Sequence, residues 1–581
     1  MLQSVRIQFS LVIAVLLLVT GCQPAQEHNP TITLSVLGTN DVHGALLPVD
    51  GNRGLALFAG YVKNLRDTRA GDDGAVLLID AGDMWQGTLE SNLNEGASVV
   101  AVFNVLRYDA AAIGNHEFDF GPVGAKATPA DENDDAQGAL KLRATEADFP
   151  LLAANLIDRT TGQPVNWPNV KPSTLINRGG IKVGIIGLMT ERALITTIAA
   201  NTTELRIAPL APTAIREAKK LREAGADLII VTAHAGSACE SFGDSQDLSS
   251  CDLSGEIMQV ALDLPAGLVD QIIAGHIHEG IAHEVNGIAI TSSYSNTRAF
   301  GRVDYVFNRS DRRLNSREIF PPQPICGYVD NTSGLCVSAN DVTGSAQVAS
   351  YSGRIVSPDA KVSEIAEYAA RRASELKTEK LGVYLETPIT RAGGSNSAIG
   401  HLFTEVMLDA VGGDVLIHNV VGGIRTDLPK GDLVYGSIYE MYPFDNVVVQ
   451  LDLTGAELRR VLQREVFKLD KRAGISGIRV FAACDDNKLH VTMIRQDGSE
   501  IEDQEMLAVM TTDFLATGGD DVLTPIIPEG GFPIARDTPL VREAIADWMR
   551  RRGGSLNADS FSDADSPKWN VPDPIPAACA L

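Results

Sequence analysis

Short apolar runs, each ended by polar or glycine-rich sequence, recur along the first half of the chain. They are Ile32–Leu37, Val76–Ile79, Ala110–Ile113, Leu151–Ala154, Val183–Ile186, Leu228–Val231 and Gln271–Ala274. Runs of this length without strict alternation predict buried strands. Helical patterning separates some of them, as at Pro212–Ala224 ahead of Leu228. The alternation predicts an α/β layered domain. The polar residues just past these strands carry the interest, because ligands of such sheets bind beyond the strand ends.

The pattern changes near residue 355. Ser357-Pro358-Asp359 predicts a helix start, with Ser as cap and Pro at the first helical position. Val362, Ile365, Ala369, Ala373 and Leu376 follow at helical spacing, and Gly382 is placed to end the helix, giving Pro358–Leu381. Mixed elements follow, then Asp-, Ser- and Pro-rich sequence that reads as extended. The expected division is a first domain over 31–355, a connecting helix over 356–382, a second domain over 383–560 and a tail over 561–581.

At the other end, Leu11–Val19 is an apolar run too short to span a bilayer. Val19-Thr20-Gly21-Cys22 follows, with small residues at a cleavage position and a Cys directly after. This is similar to a bacterial lipobox. It predicts a signal peptide over 1–21, a lipid on Cys22 and a polar tether over 22–30. The protein is then exported and anchored on a membrane face toward the periplasm or cell exterior.

Composition narrows the function. Of 581 residues, 44% are hydrophobic and 21% charged, as in globular proteins. The net charge of −25 works against nucleic-acid binding and against charge-driven docking on anionic lipid, leaving Cys22 as the membrane contact. A small anionic substrate stays compatible, because a local site can be positive within an acidic protein. Oligomeric state is left open. Apart from Cys22, six cysteines remain, and export makes disulfides the natural reading. Local pairing gives Cys239/Cys251 and Cys326/Cys336, with Cys484/Cys579 left to tie down the tail; other connectivities stay open.

The candidate chemistry lies past the strands: Asp41 and His43, Asp83, Asn115 and His116, Asp119, His234, His276 and His278. Five of the ten histidines fall in this set, which chance scatter does not explain. Carboxylates with imidazoles suit Zn, Mn, Fe or Co, which the ligand types do not separate. On an extended segment, Asp41-x-His43 and His276-x-His278 would each direct two side chains to one side.

Asn40-Asp41-Val42-His43-Gly44, Asp80-Ala81-Gly82-Asp83, Gly114-Asn115-His116-Glu117-Phe118-Asp119, Thr232-Ala233-His234 and Gly275-His276-Ile277-His278 resemble, in order and spacing, the calcineurin-like metallophosphoesterases. More closely, they resemble the bacterial 5′-nucleotidase/UDP-sugar hydrolase family. The resemblance implies a four-layer β-sandwich flanked by helices, joined by a helix to a smaller α/β substrate-binding domain. It implies two divalent metal ions: Asp41, His43 and His278 on one, Asn115, His234 and His276 on the other, Asp83 bridging. It also implies that His116, oriented by Asp119, stabilises the transition state or leaving group while a metal-activated water attacks phosphorus.

The second half extends the resemblance through Gly422-Gly423-Ile424-Arg425, Tyr442-Pro443-Phe444-Asp445-Asn446 and Phe514-Leu515-Ala516-Thr517-Gly518-Gly519-Asp520. Arg425 could fork onto phosphate oxygens. Phe444 and Phe514 could sandwich a base, and Asp520 could accept from ribose hydroxyls. Arg391 is a further candidate for phosphate. Asn419 stands one residue earlier than the family pattern, Val421 replaces a Gly, and Asp445 stands where Gly is usual. The expected activity is hydrolysis of 5′-nucleotides to nucleoside and phosphate. The alternatives are a UDP-sugar or dinucleotide pyrophosphatase, a 2′,3′-cyclic nucleotide phosphodiesterase, a thiosulfohydrolase relative, and a non-catalytic surface lipoprotein.

Overall fold

The computed structural model describes residues 30–581 except 50, 125, 130, 132, 343, 395–396, 529–531, 533–537, 562–566, 573, 577–578 and 580–581. The expected signal peptide, Cys22 and nearly all of the tether lie outside the described residues. No helix among the described residues is long and apolar enough to cross a membrane.

Two sheets face each other in the first half. One runs in the order Leu314–Pro324, Ala299–Asn308, Thr31–Thr39, Ala75–Asp80, Ala110–Ala112, Leu151–Leu152, Val170–Lys171. The other runs Gly280–Val285, Ile288–Ser293, Gln271–Ala274, Leu228–His234, Ile181–Met189, Ser173–Arg178. Alternate residues of each strand build the middle core: Ile32, Leu34, Val36, Leu77 and Ile79 meet Val183, Ile185, Leu228, Ile230 and Ile273. The other alternates face outward. Leu37, Val76 and Leu78 pack under the helices Leu55–Gly71 and Ala97–Leu106. Ile229, Val231 and Ile272 pack under Leu210–Glu223 and Glu256–Asp263. Burial of both strand faces explains the unbroken apolar runs. The result is helix, sheet, sheet, helix: the four-layer sandwich.

The junction helix is shorter than expected, at Ala360–Lys377. Its cap is Asp359, not Ser357: the Asp359 carboxylate accepts from the backbone N–H of Lys361 and Val362 at 2.9 and 3.1 Å. Gly382 does not end it. Residues Lys380–Leu385 alternate exposed and buried side chains and form a strand that pairs with Gly431–Val434 and Gly554–Leu556. That period-two pattern overrides the helical one at Leu381.

Beyond it, a four-stranded sheet in the order Val448–Thr454, Met506–Thr512, Val415–His418, Gly474–Ser476 packs against the helices Ala398–Val411 and Gly455–Glu465. The chain's end is stitched back to this body. Trp569–Asn570 adds a strand beside Ile478–Asp485, and Cys579 is disulfide-bonded to Cys484. Cys239–Cys251 and Cys326–Cys336 are also bonded, so the local pairing is the observed one.

Candidate active site

Five strands deliver the cluster, three neighbours in the first sheet and two in the second. Thr31–Thr39 leads to Asp41 and His43, Ala75–Asp80 to Asp83, Ala110–Ala112 to Asn115 and His116, and Leu228–His234 ends on His234 itself. Gln271–Ala274 leads to His276 and His278. The local geometry is not the extended one expected. Asp41, His43, Asp83, His276 and His278 all have positive φ, between 49° and 76°. Side chains converge because the backbone turns into the left-handed region at each, a conformation that costs non-glycine residues of order 1–3 kcal/mol. Close packing fixes two glycines. A Cβ on Gly114 would lie 2.2 Å from Asp83 Oδ1, and one on Gly82 would lie 2.9 Å from His234 Nδ1.

Two groups result, Asp41/His43/His278 and Asp83/His234/His276, with the ligating atoms of each within 4.8 Å of one another. The protons can be placed. His43 Nδ1 donates to Gln86 O at 2.8 Å, and His234 Nδ1 to Ala81 O at 2.9 Å, leaving both Nε2 atoms bare. The Asn115 amide donates to Thr196 O at 2.8 Å, so its Oδ1 points inward. With His234 neutral, its Nε2 faces Asn115 Oδ1 at 2.9 Å and Asp83 Oδ2 at 3.2 Å, three acceptors that need a cation between them. His43 Nε2 lies 3.0 Å from His278 Nε2. Such crowding of lone pairs is unfavourable without a cation and fits divalent metal. The carbonyls that hold the far ring nitrogens are the usual outer partners of metal-bound histidine. Without a metal ion a proton would serve instead: burial opposes charge on His234, yet the Asp83 carboxylate beside it pushes its pKa up to about 10, so metal and proton compete for its Nε2.

His116 lies next to the cluster. Its Nδ1 is 2.7 Å from Asp119 Oδ2, and Asp119 Oδ1 accepts from Thr197 Oγ1 at 2.7 Å. Burial lowers the His116 pKa, and Asp119 and Asp83 reverse this and raise it overall. Both residues line a cavity of about 240 Å³ that also exposes Asp83, Asn115, His276 and His278. Arg425, Phe444, Phe514 and Asp520 line the same cavity from the second half. The Phe444 ring stacks on His116 at 5.7 Å, and the Arg425 guanidinium lies 5.8 Å from Phe444 and 3.5 Å from His43 Nε2. Asn419, despite its early position, lines the cavity and donates to Asp520 Oδ2 at 2.6 Å. Arg391 does not join this group. It is held on Asp427 at 3.3 Å and faces a neighbouring cleft.

One residue escaped the sequence reading. Glu117 is buried and accepts from the backbone N–H of Asp83, Met84 and Gly114 at 2.9, 2.8 and 2.6 Å, tying two ligand-bearing loops together. Burial, and then the Asp83 charge, push it up to about 7. Its place beside His116 was visible; its contacts were not, because they run to backbone.

Sandwich, strand-end cluster and histidine dyad together define a metallophosphoesterase. Residues 34–280 match the calcineurin-like phosphoesterase family model, and residues 376–525 match that of the 5′-nucleotidase C-terminal domain. The chain belongs to the 5′-nucleotidase family of metallophosphoesterases, a class of hydrolases that use divalent metal. It is 26% identical to protein UshA of Escherichia coli over 521 residues, 85% of this chain and 87% of that one. It is also 26% identical to a 5′-nucleotidase of Vibrio parahaemolyticus over 489 residues, 78% and 79% of the two chains. Its fold is that of a 5′-nucleotidase precursor from Thermus thermophilus, with a TM-score of 0.67 at 22% identity over 90% of this chain and 97% of the other.

Proposed function

We propose that the protein is an exported, lipid-anchored 5′-nucleotidase that cleaves nucleoside monophosphates to nucleoside and phosphate. The observation that carries this reading is one cavity in which Asp83, Asn115, His276 and His278 of the ligand cluster meet the His116–Asp119 dyad, Arg425 and the two phenylalanines. Asp41, His43 and His278 would hold one divalent ion and Asn115, His234 and His276 a second, with Asp83 between them. Ions so held supply water activation and charge neutralisation at phosphorus.

The chain's own groups do the rest. Arg425 binds the phosphoryl oxygens as a planar fork. Phe444 and Phe514 take the base, and Asp520, steadied by Asn419, takes the ribose hydroxyls. Asp119 keeps the His116 Nδ1 proton in place, so that Nε2 faces the leaving oxygen. Export is supported by the three disulfides, which belong to an oxidising compartment. The anchor rests on Cys22.

The test is phosphate release by the purified protein lacking residues 1–22. AMP, UDP-glucose, 2′,3′-cyclic AMP and bis(4-nitrophenyl) phosphate are compared with Mn²⁺, with Zn²⁺ and with EDTA, adding phosphatase where the product is a monoester. Metal-dependent release from AMP above the other three is the expected result. Preference for UDP-glucose or the cyclic nucleotide would replace the substrate and keep the site. Silence on all four in folded, metal-loaded protein would overturn the reading.

A further inference from the structure

Phe444 faces His116 and Arg425, yet it stands on an irregular segment, residues 442–446, between the helix Tyr435–Met441 and the strand Val448–Thr454. A ring on such a segment keeps its place only where the peptide planes on both sides of its Cα are held, because φ and ψ are the backbone's soft dihedrals. Both planes are held. Pro443 O, ahead of the ring, accepts from the Gln86 side-chain amide of the first half at 3.1 Å. Phe444 O, behind it, accepts from Arg542 Nη1 at 3.0 Å.

Arg542 lies in the first turn of the helix Val541–Arg552, whose Val541 N–H donates to Asn446 O at 2.9 Å. Its side chain is 6% exposed, and each guanidinium nitrogen has its own acceptor. Besides Nη1 on Phe444 O, Nη2 donates to Asp445 Oδ1 at 2.5 Å and Nε to Tyr435 Oη at 3.2 Å. The Tyr439 ring lies 4.3 Å from the guanidinium, and Glu543 is its other acidic neighbour at 3.4 Å. Burial works against the charge, and the Asp445 carboxylate outweighs burial and raises the Arg542 pKa. A planar fork spread over a carbonyl, a carboxylate and a hydroxyl fixes orientation as a point charge would not. Asp445 stands where Gly is usual, and it does not line the cavity that Phe444 shares with His116. It borders a separate cleft with Asn92 and Phe120, so its charge acts on Arg542.

We propose that Arg542 is a positioning residue for the base-stacking wall: with Asp445 it holds the Phe444 peptide so that the ring stays in place over His116, and this hold sets the affinity for a nucleobase. A wall fixed before the substrate arrives avoids the cost of ordering it on binding. The effect on a nucleobase rests on the nucleotidase reading; the hold on residues 442–446 can be measured apart from it.

The experiment uses the metal-loaded protein and its Arg542→Ala, Arg542→Lys and Asp445→Gly variants, each made alone and together with Phe444→Ala. Arg542→Ala should raise KM for AMP about fivefold, or roughly 1 kcal/mol, with kcat moved less. In the Phe444→Ala background the same substitution should raise KM by no more than about twofold, because the ring through which it acts is gone. A rise that persists in full without the ring, or a parental KM in Arg542→Ala, overturns the proposal. Arg542→Lys keeps the charge beside Asp445 and loses the fork, so its KM should fall between those of the parent and Arg542→Ala. Asp445→Gly leaves the bond to Phe444 O and should also raise KM less than Arg542→Ala. These two milder variants carry the comparison if Arg542→Ala does not fold. If the parent protein does not cleave AMP, the nucleotidase reading fails, and amide hydrogen exchange decides the hold on the segment. The N–H groups of Tyr442, Val447 and Val541 donate to Ile438 O, Asp513 Oδ1 and Asn446 O. Their exchange should be faster in the Arg542 variants than in the parent, with the strand Met506–Thr512 unchanged. Equal exchange at the three amides overturns the proposal, as does a change that spreads to that strand.

Discussion

Two buried carboxylates clamp the two halves of the site, and they differ in which oxygens do the holding. In the first half, Glu117 uses both: Oε2 accepts from Asp83 and Gly114, Oε1 from Met84. In the second half, Asp513 uses one: Oδ1 accepts from the Asn446 amide and from the backbone of Val447 and Phe514, at 2.9, 3.2 and 2.9 Å. Each ties together loops that line the cavity. Glu117 stands next to a crowd of acceptors and to Asp83, whose fields its clamp must hold in place. Asp513 stands among neutral groups. On the proposed function, the first clamp would serve chemistry, where small displacements of ligands are costly, and the second recognition, where a ring or amide can adjust.

The comparison breaks most visibly at the cluster itself. Asp83→Asn removes the carboxylate between the two groups and should lower turnover of every phosphoester by about three orders of magnitude, roughly 4 kcal/mol of barrier. Circular dichroism should show the fold intact. Near-parental rates from this variant would remove Asp83 from the chemistry. Glu117→Gln should come next. Its amide must turn N–H groups toward backbone N–H on one side or the other, so at least one bond is lost whichever way it flips. Outer-partner losses of this kind typically cost 10- to 100-fold in metal affinity or activity, so about that is expected. A titration of Mn²⁺ against turnover checks it, and unaltered metal dependence would show that the clamp is passive.

Phe444→Ala probes the recognition side. KM for AMP should rise about tenfold, within the roughly 1–3 kcal/mol of a stacked base, and KM for 4-nitrophenyl phosphate esters should move less. Equal shifts would mean that the ring acts through His116, on which it stacks at 5.7 Å, and not on the base.

The sequence shows the strand-end residues plainly, because strands buried on both faces are apolar runs and the polar residues that break them stand out. The motifs Asn115-His116-Glu117 and His276-Ile277-His278 were legible in the same way. The manner of convergence was not. Spacing suggested extended segments, whereas left-handed φ at five of the seven ligand candidates turns the side chains inward, and only tertiary hydrogen bonds hold that strain. Asp359 displaced Ser357 as cap because a cap is decided by which side chain reaches the N–H groups, and both are good caps by type. Glu117 and Asp513 act on backbone, which leaves no trace in residue type.

The smallest effect belongs to Asp513. Burial, opposed by the Asn446 amide and backbone N–H groups, pushes its pKa from 3.8 up to about 6. Unfolded, the carboxyl ionises near 3.8; folded, it keeps its proton until about pH 6. The native state therefore binds more protons between those values, and stability from this group falls as pH rises through the window and is flat above it. The ceiling on that fall is about 3 kcal/mol. Asp513→Asn cannot ionise, and its Oδ1 can keep all three bonds while the amide points away. Turnover should stay within about twofold, unlike Glu117→Gln. The difference in melting temperature, variant minus parent, should grow from pH 4 to pH 6 and then level off, by a few degrees at most. A difference that is constant with pH would show that the carboxyl stays charged in the fold, and a large loss of turnover would make the two clamps equivalent.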